Sequence, residues 1–396
     1  SLTVTDPSGE FAGTTVQAQT VHRELDFSNP EQEQGLFSVE ALKIQAANPV
    51  STIAFKQFSL QRSGDAIQIS ATGDANFANG LFDFRNFSLS LPLSRSGDST
   101  TQGQLMVDEL FFGKFSLGKT AVDLTQTDHR LCFNGALKFL KDAKGILNYR
   151  GELSLPPYTP TINIQFELPT TETTDPLSLS SFLPDSTAPL DFTGTFGIHG
   201  AISGDIYNPQ STATIHVEDG TLLHKDFLLS GIKTELDFEN LFQMVSAPDQ
   251  QLDFQSFVFE HAEVQNGSIQ YEFRDNRLIA INTAKFHALN GTFRAQSPIL
   301  INTNTGEIGS AEDATAIPFS ADMISLVDLF SFFKIGYAET AAKLNGKFTA
   351  KIQENGLSWE ADVATPTGES GEAAFPDLDR YALLQPSNEN VEFALA

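Results

Sequence analysis

Apolar and polar residues take turns along most of this chain, and the alternation is clearest between Ile215 and Ile352. In Ile269-Gln270-Tyr271-Glu272-Phe273 a side-chain period of two puts Ile269, Tyr271 and Phe273 on one face of a strand, with Gln270, Glu272 and Arg274 on the other. Ile232, Leu236 and Phe238 repeat the pattern, as do Phe348 and Ile352, which leave Lys347 and Lys351 facing water. Upstream, Ile162 to Leu168 alternates without an error between Pro160 and Pro169, so Ile162, Ile164 and Phe166 share a face. The apolar members of these runs are the candidate lining of one dry interior. Asp219-Gly220, Asn266-Gly267 and Asn355-Gly356, and further upstream Asn79-Gly80 and Asn134-Gly135, predict hairpin turns, because the central residues of a tight hairpin need positive φ. The chain reads as antiparallel β with one wet face and one dry one.

Breaks and a few helical spacings interrupt this pattern. Residues 1–60 read as short strands broken at Pro7-Ser8-Gly9, Asn29-Pro30 and Asn48-Pro49, since proline cannot donate to a ladder. Phe55 and Phe58 are three apart, which requires a bulge or a strand buried on both faces. Thr170 to Ala188 is rich in Thr, Ser and Pro and has no strand period. It predicts a linker over 171–188, between an N-terminal β region at 1–170 and a C-terminal β region at 189–396. Leu177, Leu179, Phe182 and Leu183 inside that linker, and Glu239 to Val245, predict short helical turns. From Asp322 to Lys334, Met323, Leu326, Val327, Phe330 and Phe333 keep helical spacing, with acids toward the start and Lys334 at the end. That predicts an amphipathic helix lying on a sheet, with Leu326, Phe330 and Phe333 inward as a cover or gate.

Composition sharpens the picture. Across 396 residues, 24 Lys+Arg stand against 50 Asp+Glu, a net charge of -26 that excludes a nucleic-acid partner. One cysteine, Cys132, excludes an internal disulfide framework. No apolar run is long enough to span a bilayer as a helix, and the first residues read as the start of a trimmed ectodomain. Phe is used 34 times against 6 Tyr and 1 Trp, so most aromatic surface has no polar handle. Such a set suits a Phe-packed core or a lining for hydrocarbon cargo.

Catalytic readings find little. The histidines never fall at i, i+4 spacing, and no metalloprotease, nucleophile-elbow or phosphate-loop sequence occurs. His216 and His224, on either side of Asp219-Gly220, are expected to face each other on a hairpin as surface residues. Acidic pairs such as Glu218-Asp219 and Glu312-Asp313 arise by chance in so acidic a chain. The expectation is a protein that is not an enzyme and needs no metal or cofactor.

The run Gly231 to Phe238, then Pro248 to Phe254, then Val264 to Tyr271 resembles the YdbH-like family of AsmA-related cell-envelope proteins, which present these pieces in the same order. Phe286-His287-Ala288-Leu289-Asn290-Gly291-Thr292-Phe293 resembles that family's aromatic strand, with Asn290 where Gly is more usual. Asp322 to Phe333 resembles its Leu-rich short helix, Leu344 to Phe348 the strand that follows, and Gln385 to Leu395 the segment before its last strands. The resemblance covers Ala201 to Ala396. It implies a periplasmic protein, anchored to the inner membrane in its full-length form, that moves phospholipid toward the outer membrane. It also implies a small outer-membrane lipoprotein that adds a strand near the C-terminal edge. The family is labelled in places as a dicarboxylate-transport protein, a name these residues do not support.

The residues alone reach a compatible fold class: all-β, with elongated antiparallel sheets forming a curled apolar groove and a few short amphipathic helices. Stacked β-sandwiches demand the same alternation and stay open as the alternative. Three functions follow: a groove for phospholipid acyl chains, a structural envelope protein whose Phe-rich faces fill each other, and a carbohydrate-active enzyme on a β scaffold. Scarce Trp and Tyr disfavour the third.

Overall fold

The computed structural model describes residues 2–366 apart from short connecting stretches at 12–13, 27–33, 48–49, 64–65, 78–79, 81, 95–99, 113–114, 128, 139–144, 155–159, 180–188, 206–207, 260–261, 276, 303–304, 311–312, 314, 333–339 and 354–355. Among these residues the chain is all-β, with 26 strands and a single helix, Leu326–Phe332. Pairing is antiparallel and runs mostly from each strand to the next in sequence, in an open meander. All the strands among the described residues join in one sheet, so the stacked-sandwich alternative falls away. The chain divides into two compact units: Ser1–Glu218 with Leu236–Gln243, and Asp219–Glu235 with Met244–Ala396.

In the first unit, the strands from Gln34 to Asp205 carry alternating burial, as in Asn163, Gln165 and Glu167 exposed against Ile162, Ile164 and Phe166 half buried. A line of irregularities crosses several of them. Register shifts fall between Phe55 and Gln57, between Gly73 and Ala75, and on both sides of Gly118, while Asn86 has φ 50°. Bulges bend a strand and raise its twist, and several in line crease a sheet. On the outer side of the crease Lys56 Nζ donates to Asn86 Oδ1 at 2.8 Å, Asn86 N donates to Asp74 Oδ1 at 2.7 Å, and Lys119 Nζ donates to Asp108 Oδ1 at 3.0 Å. On the inner side the bulge at Lys56 brings Phe55 and Phe58 onto one face, rings 5.4 Å apart. Both pack on the cluster of Ala71, Ala75, Phe87, Val107, Leu110 and Leu137.

The curl has a direct measure. The rings of Phe82 and Phe242 meet edge to face at 6.2 Å. Phe82 opens the strand Phe82–Ser94, and Phe242 sits in the turn after the strand Phe227–Asn240, eight ladder steps away. Laid flat at about 4.8 Å per step, those strands would stand about 38 Å apart. The first unit is therefore curled with its apolar side concave, and these two rings brace it.

Several expectations are corrected. Residues 171–178 belong to the strand Thr161–Ser178 and are not a linker. Pro169 and Pro176 sit where the register shifts, between Leu168 and Thr171 and between Thr173 and Leu177, so the prolines fall where no ladder donor is required. Residues 180–188, with Phe182 and Leu183, lie outside the described residues. Leu241 to Met244 form a turn in place of the short helix expected over 239–245. Asp219-Gly220, Asn266-Gly267 and Asn134-Gly135 lie inside the strands Asn208–His224, Ala262–Asp275 and Arg130–Lys138. Asp219 and Asn266 do take positive φ, 51° and 47°, and Asn266-Gly267 lies at a register shift, so the left-handed residue makes a bulge there and no reversal. Asn355 lies outside the described residues, but Gly356 pairs with Gln353 across the two strands that it separates, and Gly80 lies in a turn with φ 89°. His216 and His224 share one strand and so do not face each other across a hairpin.

In the second unit the strand Ala316–Ser325 runs into the helix Leu326–Phe332, shorter than the expected 322–334 because Asp322 to Ser325 finish the strand. Ser325 Oγ accepts from Asp328 N at 3.3 Å at the helix start. Leu329 and Phe330 are buried, and Leu329 joins Ile324, Phe293, Phe319, Leu344 and Phe348 in a dense cluster. Phe293 stacks on Phe286 at 5.4 Å and meets Phe348 edge to face at 5.0 Å.

Candidate functional site

Five of the eleven groove candidates lie on the first unit, toward its concave face. Ile162, Ile164 and Phe166 stand in a row along one strand, opposite Leu153, Gly151 and Tyr149 on one neighbour and Gly204, Ile202 and Gly200 on the other. They are half buried, whereas Leu168 at the end of the same row is 1% exposed. Leu236 is half buried and Phe238 buried on the strand Phe227–Asn240. The row thus keeps hydrocarbon at its surface and closes at Leu168.

Sequence reasoning missed the residues that shape this floor. Gly135 pairs with Tyr149, Gly151 with Phe133, and Gly200 with Phe166. At each glycine a carbon built at the Cβ position would overlap the partner ring, so the aromatics lie across their neighbours' backbones. Tyr149 crosses the whole strand Arg130–Lys138 to reach Thr120, Oη to Oγ1 2.7 Å. Thr120 Oγ1 also donates to the Ala136 carbonyl at 3.1 Å. The signal was present as glycine inside an alternating run, which marks a close backbone approach.

The second unit repeats the device. Tyr271 is buried and its Oη lies 3.1 Å from Thr234 Oγ1, which donates to the Gln251 carbonyl at 2.7 Å. Phe254 lies over Gly267. Burial pushes both phenols, Tyr149 and Tyr271, above their ordinary pKa, and the threonine hydrogen bonds pull back only part of the shift. Each hydroxyl is held at the sheet, so neither offers a free polar group to a ligand on the dry side.

The other candidates fall in two groups. Ile232 is buried, and Ile269 and Phe273 are half buried, on the dry side with Tyr271. Phe348, 2% exposed, belongs to the filled cluster that Leu329 joins and the half-buried Leu326 packs against, and Phe330 on the same helix is 7% exposed. The Ile352 side chain and Phe333 lie outside the described residues. Gln270 and Lys347 are exposed, while Glu272 is partly covered by Arg274 at 2.6 Å and Lys351 by Glu360 at 2.5 Å.

The wet side of the first unit has a depression of about 790 Å³, lined by two rows of outward side chains that include Arg150, Gln165, Glu167, His199, Thr214 and Asp237. Arg150 donates to Gln165 Oε1 at 3.0 and 3.2 Å and Thr214 donates to Asp237 at 2.6 Å, so these four side chains are partnered within the depression. His224 stacks on Phe227 at 5.0 Å, with Asp226 3.5 Å from its ring nitrogen, and His216 lies 3.5 Å from Glu218. Among the described residues no group of three His, Cys, Asp or Glu side chains is placed to hold a metal ion, and no helix is long and apolar enough to cross a membrane. Comparison with known protein families, curated proteins and solved structures returns no match for the chain.

Proposed function

We propose that the chain binds phospholipid by its acyl chains along the dry face of its curled sheet and passes it between the inner and outer membranes of a bacterial envelope. The observation that supports binding is the row Ile162, Ile164 and Phe166, turned into a concave face yet only half buried. Apolar side chains in a filled core lose nearly all contact with water. Covering about 200 Å² of such surface with an acyl chain would stabilise the complex by about 5 kcal/mol at ~25 cal/mol per Å². The pinned phenols support the same reading, because a hydrocarbon ligand cannot satisfy a free hydroxyl.

Headgroups stay in water on this reading, and no covalent chemistry, metal or organic cofactor takes part. The likeness of Ala201 to Ala396 to YdbH-like proteins supplies the cellular frame: a periplasmic protein, anchored to the inner membrane at full length, whose C-terminal edge accepts a strand from a small outer-membrane lipoprotein. One observation favours a second reading for part of the chain. The cluster around Ile324 and Phe348 is filled by its own side chains, as a structural β protein requires. Lipid extraction and mass spectrometry decide between the two, on protein purified without detergent and again after incubation with labelled liposomes. Acyl lipid above the level of an unrelated acidic β protein is the expected result; its absence from both samples leaves the structural reading.

A further inference from the structure

Tyr149 rises from the strand Ile146–Ser154, passes over Gly135 of the next strand and ends at Thr120 of the strand beyond. The three atoms nearest to a carbon built on Gly135 all belong to the Tyr149 ring and its hydroxyl. At Gly151 and Gly200 the overlap also includes backbone oxygens, of Asn163 and Thr212, so of the three glycines on this floor only Gly135 has the ring alone as its nearest neighbour. A ring lying flat raises the floor of the groove by about 3.5 Å, the contact distance between carbons, and one tilted upright raises it by roughly twice that.

We propose that Gly135 and Thr120 are positioning residues that set the depth of the groove: by holding Tyr149 flat they leave above it the height an acyl chain occupies. The inference rests on the reading of this face as an acyl-chain site. Gly135 supplies the space under the ring, and Thr120, fixed by its own bond to the Ala136 carbonyl, holds the far end. A methyl group at position 135 lifts the ring into the space of the ligand without adding any atom of its own to the open face. The burial that raises the Tyr149 pKa reports the flat position independently of lipid.

The test loads the full chain and its variants from phosphatidylcholine vesicles and counts phospholipid per protein by mass spectrometry after gel filtration. Gly135→Ala is expected to retain at least threefold less than the parent, and Tyr149→Leu added to it to recover most of the loss, because no ring is left to lift. Phenolate absorbance across an alkaline titration should show Tyr149 ionising at lower pH in Gly135→Ala than in the parent. Should Gly135→Ala not fold by circular dichroism, Thr120→Val carries the test: it keeps the volume, frees the hydroxyl end of the ring, and is expected to show the same loss. A loaded parent with equally loaded variants overturns this inference and leaves the acyl-chain reading standing. An empty parent overturns both.

Discussion

At the scale of single residues the two pinned tyrosines make a prediction that needs no ligand. A phenol whose folded pKa lies above its unfolded value stabilises the fold fully below the unfolded value, and that contribution is lost as pH rises through the folded one. Tyr149 and Tyr271 both have their pKa raised from 10.0, chiefly by burial. Two of the six phenols should therefore ionise only above pH 10.0, and unfolding followed by circular dichroism should begin with them. Phenolate absorbance that develops in full while the sheet signal is unchanged would show that these hydroxyls are open to water. The sequence placed Tyr271 on the dry side by parity alone. It gave no sign that Thr234 waits two strands away, because periodicity fixes faces and is silent on register.

Elements show both how much was legible and where the reading failed. Alternation identified strand faces because the side-chain period is a local property, and Ile162 to Leu168 needed no tertiary knowledge. Asx-Gly pairs are ambiguous at the same level. Asp219 and Asn266 take the positive φ that a hairpin and a bulge use equally, so only the partner strand decides between them, while Asn134-Gly135 runs on as regular strand. Asn86 at the crease shows the energetic content. Its φ of 50° sits in the left-handed region, and its side chain and backbone bind Lys56 and Asp74. Asn86→Val should destabilise by about 2 kcal/mol through strain at a β-branched residue, whereas Asn86→Gly should lose less than about 1 kcal/mol, both by urea denaturation. Equal losses would mean that the backbone there tolerates any residue. The helix was legible from its spacing, but its first residues were claimed by a strand that pairs Ile324 with Leu344. Phe330 is buried on that helix, so Phe330→Asp should cost on the order of 4 kcal/mol, the sum of lost packing and a charge out of water. A variant that melts with its parent would place the helix away from the sheet.

At the scale of the whole molecule the net charge of -26 governs how any membrane is met. The described ion pairs lie at the surface, most partners exposed and a few partly covered, and leave acidic groups in excess, so an anionic bilayer repels the average surface of the protein. Screening sets the reach of that repulsion: the Debye length is about 30 Å at 0.01 M salt and about 8 Å at 0.15 M. Because long-range repulsion acts on the rate of encounter, it should appear in the rate of lipid uptake more than in the amount finally bound. Uptake of a fluorescent phospholipid from vesicles rich in phosphatidylglycerol should quicken severalfold as salt rises across that range. Uptake from phosphatidylcholine vesicles should hardly change, since no net surface charge is there to be screened. Uptake from the anionic vesicles that instead slows with added salt would mean that a local basic patch leads the approach in spite of the total charge. The 24 Lys and Arg side chains, mapped by charge-reversal variants one strand at a time, would then be where to look for it.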